Sequence, residues 1–161
     1  MDGITFRAAG DADVPAIVAI IRAAFKEYDG AIDPPSGAHK ESEAKIREKM
    51  SADRAVLALL GQQAVACVLY RDEGDFMYFG RLAVLPEYRG RGIARALIAY
   101  VEGRARELDL PCVRLSVRVA LPQLRARYER LGYRVIEERR HDGYAEPTYL
   151  VMEKLLDAAA S

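Results

Sequence analysis

Apolar positions along the chain change their period several times, and each change marks an element. Ile4 to Ala8 predicts a short first strand. Val14, Ile17, Val18, Ile21, Phe25 and Tyr28 then recur at helical spacing. Asp11 or Asp13 is placed to cap that helix, and Pro15 fits only its first turn, where a missing N–H costs little. The helix is expected to end near Asp29-Gly30, before a loop from Ala31 to Ala38 that carries Pro34-Pro35 and Gly37. A second helix, polar on most faces, is predicted over His39 to Met50. Arg54 to Leu60 and Gln63 to Tyr70 flank Gly61-Gln62 and read as a hairpin. Asp72 to Asp75 turns the chain into a fourth strand, Phe76 to Leu85.

Gly92 to Leu108 is apolar at Ile93, Leu97, Val101, Ala105 and Leu108, the stripe of a long amphipathic helix that Asp109-Leu110-Pro111 breaks. The fifth strand, Val113 to Val119, puts Val113, Leu115 and Val117 on one face and Arg114, Ser116 and Arg118 on the other. Pro122 opens a fourth helix that runs to Leu131 and stops at Gly132. Tyr133 to Glu138 and Thr148 to Lys154 are the last two strands, around a polar loop at His141-Asp142-Gly143.

The order β-α-α-β-β-β-α-β-α-β-β predicts an α+β fold in α/β/α layers: a mixed, largely antiparallel seven-stranded sheet with helices on both faces. One crossover, fourth strand to third helix to fifth strand, should be parallel and right-handed. No repeat or linker interrupts residues 1–156, so a single domain is expected there, with 157–161 as a disordered tail.

Lys and Arg together number 24, as do Asp and Glu, so net charge gives no case for nucleic acid or an anionic membrane as partner. No apolar run nears the roughly 18 residues of a membrane span. Met1-Asp2-Gly3-Ile4 shows no signal peptide. Cys67 and Cys112 lie in apolar strands and read as small buried residues, and two histidines cannot build a zinc site. The expectation is a cytoplasmic protein that holds no metal.

The most informative segment is Arg89-Gly90-Arg91-Gly92-Ile93-Ala94, set between the fourth strand and the third helix. Strand, glycine turn and helix aim several main-chain N–H groups and the positive end of a helix dipole at an anion. Glycines let the main chain approach a bulky ligand closely, and Arg89 and Arg91 add charge. A pyrophosphate-bearing ligand is the natural guest. Arg95 stands where a Rossmann loop needs its third glycine, and no Gly-Lys pair exists for a Walker loop.

The hexapeptide instead matches R-x-x-G-x-A, and Val84-x-Pro86 precedes it. Together with Leu115 to Arg118 and Tyr128-Glu129-Arg130-Leu131-Gly132-Tyr133, it resembles the GNAT superfamily of N-acyltransferases over nearly the whole chain. The late motif of that family, N-x-x-A-x-x-L-Y-x-[KR]-x-G-[FY], is kept at Tyr128, Arg130, Gly132 and Tyr133. Leu121 replaces its Asn, Leu124 its Ala and Arg127 its Leu, and the change at Leu121 removes an amide that often helps hold the cofactor arm.

The resemblance implies an acetyl-CoA-dependent N-acetyltransferase that moves an acetyl group to a primary amine by direct attack in a ternary complex. It implies that acetyl-CoA, as co-substrate, is held by Leu82, Ala83 and Val84 and by Arg89, Gly90, Arg91, Gly92, Ile93 and Ala94, with a main-chain N–H near Val84 on the thioester oxygen. It implies proton delivery to the leaving thiolate by Tyr128. Tyr28, Arg81 and Arg118 are the candidate acceptor residues, the two arginines for a substrate carboxylate as in an amino acid, whereas Asp29, Asp33, Asp142 and Glu146 in the bordering loops would suit a cationic amine. No carboxylate lies in the strand from Phe76 to Leu85, and Arg81 stands where some relatives carry Glu. Glu27 and Glu41 are other candidate bases, each reading first as a solvated charge, and water is the default path. His39 and His141 read as surface loop residues. A non-catalytic acyl-CoA-binding sensor or complex subunit is the alternative, and a homodimer is compatible with the family.

Overall fold

The computed structural model of the chain describes residues 3–157. Of the tail expected over 157–161, residues 158–161 lie outside the described residues. The elements are β1 (Ile4–Ala8), α1 (Val14–Phe25), α2 (Glu43–Met50), β2 (Arg54–Leu60), β3 (Gln63–Asp72), β4 (Met77–Val84), α3 (Ile93–Glu107), β5 (Cys112–Arg118), α4 (Pro122–Arg130), β6 (Arg134–Arg139) and β7 (Tyr149–Leu155). Their order follows the hydrophobic pattern. The start of α2 is displaced from His39 to Glu43. Ser42 caps it by accepting the Lys45 N–H at 3.2 Å, and Gly37–Lys40 form a separate 3₁₀ turn capped by Ser36.

The seven strands form one sheet in the order β1-β2-β3-β4-β5-β7-β6. All neighbours are antiparallel except β4 and β5. Helices α1 and α2 cover one face, packing Ile17, Ile21 and Ile46 against Leu57, Cys67, Leu69 and Ala83. Helix α3 covers the other face, where Leu97 and Val101 meet Phe79, Leu115 and Met152, with Tyr128 of α4 packed beside them. Ile17 and Ile21 are fully buried one turn apart, and truncating either to Ala is expected to cost about 2–5 kcal/mol. Both cysteines are buried and unpaired. No helix among the described residues is long and apolar enough to cross a membrane.

Two irregularities of β4 position the site. Its pairing with β5 consists of Met77 with Val113 and Tyr78 with Arg114, beyond which the two strands part. Its pairing with β3 carries a bulge: Cys67 faces Ala83 and Leu69 faces Gly80, so Arg81 and Leu82 together oppose one residue. Arg81 takes the left-handed conformation there, at φ 53°. That conformation costs a non-glycine residue about 1–2 kcal/mol, so neighbours must hold it.

Candidate active site

The parting of β4 and β5 leaves main-chain groups of both strands without a ladder partner. Leu85 donates its N–H to Val65 O in β3 at 2.9 Å. Successive N–H groups alternate sides along a strand, so that of Val84 is turned toward β5 and into the gap. A cleft of about 1220 Å³ opens here, lined by Leu82, Ala83 and Val84 from β4 and by Leu115 to Arg118 from β5. A second cavity of about 280 Å³ continues from Leu82 between the start of α3 (Ala94, Arg95) and the end of α4 (Arg127, Tyr128).

The wide end of the gap meets the N-terminus of α3. Gly90 and Gly92 have φ of 80° and 78°, and Gly92 is the N-cap, so no side chain caps the helix. Among the described residues, no N–H from Gly90 to Arg95 donates to a protein oxygen. These amides and about half a unit of helix-dipole charge thus face outward together. Arg95 and Arg127 line the opening with no ion-pair partner among the described residues, and Arg91, in the turn itself, rests on the Tyr88 ring at 5.2 Å. Arg89 also lines the cleft. It pairs with Glu27 at 2.5 Å and donates to Ala24 O at 2.7 Å, which ties the turn to the end of α1. Glu27 is exposed, as expected of a surface charge, and is the partner of Arg89 in this contact.

On the α3–α4 face, Tyr128 packs edge-on against Phe79 and Tyr133, with centroids 6.4 and 6.2 Å away. Burial pushes its phenol up to about 12, and its hydroxyl has no hydrogen-bond partner among the described residues. It lines both the cleft and the smaller cavity. Leu121 is the N-cap of α4 and offers no side-chain oxygen, so the start of that helix is uncapped.

The α1–α2 face presents Tyr28, Arg81 and Arg118 to the same cleft. Burial, with Glu27 nearby, raises the Tyr28 phenol. Arg118 donates to Pro34 O at 2.6 Å and to Pro35 O at 3.3 Å, and has no carboxylate in ion-pair contact among the described residues. Burial pushes its guanidinium down from its ordinary value. The positive charge of Arg81, which lines the same cleft, adds to that lowering.

Arg81, however, is already engaged. Its Nε donates to Glu41 Oε2 at 2.8 Å, and Lys49 Nζ lies 3.4 Å from the same carboxylate. Glu41 is fully buried, so its reading as a solvated charge does not hold. Arg22 of α1 also donates to its carbonyl at 2.8 Å. Glu41 therefore anchors the bulge of β4 to both α1 and α2, a role that a lone acidic residue in a predicted helix gives no hint of.

His141 also departs from its expected place on the surface. It is half-buried and lines the cleft, with Nδ1 2.5 Å from Thr148 Oγ1 and its ring 5.0 Å from that of Tyr149. Tyr144, from the same loop, donates to Asp33 Oδ1 at 2.5 Å and stitches the β6–β7 loop to the α1–α2 loop across the cleft mouth. The cleft thus runs from the uncapped N-terminus of α3, through the gap between the strands, to a side walled by two joined loops.

Comparison with known proteins gives this geometry a setting. The family model described as Acetyltransferase (GNAT) family matches residues 18–133. No curated protein sequence matches the chain. Its fold is similar to that of the PaiA N-acetyltransferase from Thermoplasma acidophilum in complex with coenzyme A (TM-score 0.79, 18% identity, covering 95% of this chain and 99% of that one). It is similar also to a GNAT family acetyltransferase from Elizabethkingia anophelis with acetyl-CoA bound (TM-score 0.74, 17% identity, 97% and 100% covered). A spermidine N-acetyltransferase chimera from Vibrio cholerae and hSSAT shares the fold as well (TM-score 0.73, 20% identity, 96% of each chain).

Proposed function

The chain belongs to the acetyltransferase (GNAT) family, and from that premise we propose that it transfers the acetyl group of acetyl-CoA to a primary amine by direct attack in a ternary complex. The observation that carries this reading is the unpaired stretch of β4 and β5 leading to the uncapped N-terminus of α3. The amides of Gly90 to Ala94 suit a diphosphate, and Arg91 adds charge beside them. Leu82, Ala83 and Val84 then accept the pantetheine arm as an extra strand, which directs the thioester into the gap. The two cavities that meet at Leu82 offer this arm a continuous path.

Val84 N–H donates to the thioester oxygen. That oxygen gains charge as the amine attacks, and one fixed donor of this kind lowers the barrier by about 3 kcal/mol. Tyr128 approaches the sulfur from the α3–α4 face and gives its proton to the departing thiolate. A phenol held up to about 12 by burial keeps that proton through the neutral range. The amine enters from the α1–α2 face, past Tyr28. Of Arg81 and Arg118, the first is neutralised by Glu41 and the second is left to receive an acceptor's carboxylate, which favours a small amino-acid-like amine. A reducing, cytoplasmic setting and a single domain over residues 1–156 belong to the same reading.

Thiol release from acetyl-CoA with a panel of small amines tests the proposal. Turnover with amino-acid-like amines is expected. Calorimetric binding of CoA with no turnover for any amine would instead favour the sensor.

A further inference from the structure

The transfer has to remove a proton from the amine, and most carboxylates at or beside the cleft are already engaged; Asp142, which also lines it, is an exposed loop carboxylate next to His141. Glu41 is sealed against Arg81 and Lys49, Glu27 is paired with Arg89, and Glu73 is paired with Arg71. His141 is in a different position. Its main-chain N–H donates to Thr148 Oγ1 at 2.8 Å, and its ring Nδ1 lies 2.5 Å from the same oxygen. With the proton on Nδ1, both lone pairs of that hydroxyl are used and Nε2 is left bare as an acceptor. Tyr149 and Tyr144 flank the ring at 5.0 and 6.4 Å and fix its plane.

Resting on the acetyl-transfer reading, we infer that His141 is the base that takes the acceptor's proton. It acts from the β6–β7 loop on the side of the cleft opposite Tyr128. The amine nitrogen bonds to the acetyl carbon while its proton passes to Nε2. The C–S bond then breaks, and the sulfur leaves with the proton of Tyr128. Water takes the proton from the imidazolium and another water restores the phenol, so one proton moves from amine to thiol overall.

The groups around the ring suit this task. Arg118 faces it from β5, Asp142 and Tyr144 belong to its own loop, Tyr149 comes from β7, and Asp33 reaches it through Tyr144. Partial burial and Arg118 hold the imidazole below its ordinary value, while Asp142 opposes them. The ring therefore starts the cycle neutral at physiological pH. Because Arg118 is placed for the acceptor's carboxylate, the base and the anchor sit on adjacent elements of one wall.

The test is the pH dependence of kcat with acetyl-CoA and amine both saturating, so that the free amine's ionisation does not enter. Wild-type kcat should fall on the acid side with an apparent pKa below about 6.5. His141→Gln should lose roughly 100-fold in kcat and lose that acid limb, with affinity for acetyl-CoA unchanged. Added imidazole should restore part of the rate of His141→Ala, which a merely structural role would not allow. If His141→Gln does not fold, Thr148→Val carries the test: freeing the ring should lower kcat about tenfold while the acid limb persists. Wild-type turnover with an unaffected His141→Gln, or an unaffected Thr148→Val, overturns this role alone. No thiol release by the wild type with any amine overturns both this role and the transferase reading.

Discussion

Gly90→Ala separates the anion-binding role proposed for the α3 turn from its role in folding. Gly90 sits at φ 80°, and a Cβ placed there meets nothing within 4 Å in the protein itself. The folding penalty is therefore the left-handed backbone alone, about 1 kcal/mol once the stiffer unfolded chain is counted. For a domain of this size that lowers Tm by about 2–4 °C. Coenzyme A should suffer more. The methyl group stands beside the amides that receive the diphosphate, and losing one hydrogen bond to a charged group costs about 1.5–3 kcal/mol. Kd should then rise roughly 10- to 150-fold. Titration calorimetry with CoA and with pantetheine reads this directly, because pantetheine lacks the diphosphate and should bind both proteins alike. Unchanged CoA affinity, or equal weakening for both ligands, would refute the assignment of the turn.

Three other substitutions probe the remaining parts. Tyr128→Phe should lower kcat with little change in CoA affinity. Because burial raises this phenol to about 12, wild-type kcat should show no loss from Tyr128 ionisation up to about pH 10. The same shift has a stability consequence: folding gains from the protonated phenol below its unfolded value near 10 and loses that gain as pH rises toward 12, a window that alkaline unfolding of wild type and Tyr128→Phe can compare. Glu41→Ala leaves the guanidinium of Arg81 unpaired and about three-quarters buried, at a cost of about 3 kcal/mol, so Tm should fall by about 6–12 °C. Lys49→Ala, which removes only the longer 3.4 Å contact, should fall much less in the same calorimetric scan. Arg118→Ala should raise KM for carboxylate-bearing amines and leave neutral amines alone; an equal rise for both would mean that its bonds to Pro34 and Pro35, not its charge, matter to the acceptor.

Local chemistry makes much of this molecule legible in its sequence. Apolar period marks α1, α3 and β5, which must bury one face, whereas the mostly polar α2 and α4 are marked by their boundaries, α4 by Pro122 and Gly132. The turn proposed for the diphosphate is legible because Gly90 and Gly92 stand where positive φ is required, with a strand ahead of them and an amphipathic helix after. What escapes a linear reading depends on contacts between distant segments. Arg81 adopts a glycine-like φ although nothing in its residue type calls for it, and its brace, Glu41, lies 40 positions earlier. His141 has the local sequence of a surface residue because Thr148, Tyr149 and Arg118 gather around it only after β7 inserts between β5 and β6. The start of α2 is hidden for a local reason, since the Ser36 and Ser42 caps divide one polar stretch into a 3₁₀ turn and a helix.

A crystal structure with acetyl-CoA bound tests the central claim most directly. The diphosphate oxygens should lie about 3 Å from the N–H groups of Gly90 to Ala94, with the acetyl group in the gap between β4 and β5, its oxygen toward Val84 N–H and its sulfur toward Tyr128. Acetyl-CoA bound elsewhere, or a diphosphate held by side chains away from that turn, would contradict it.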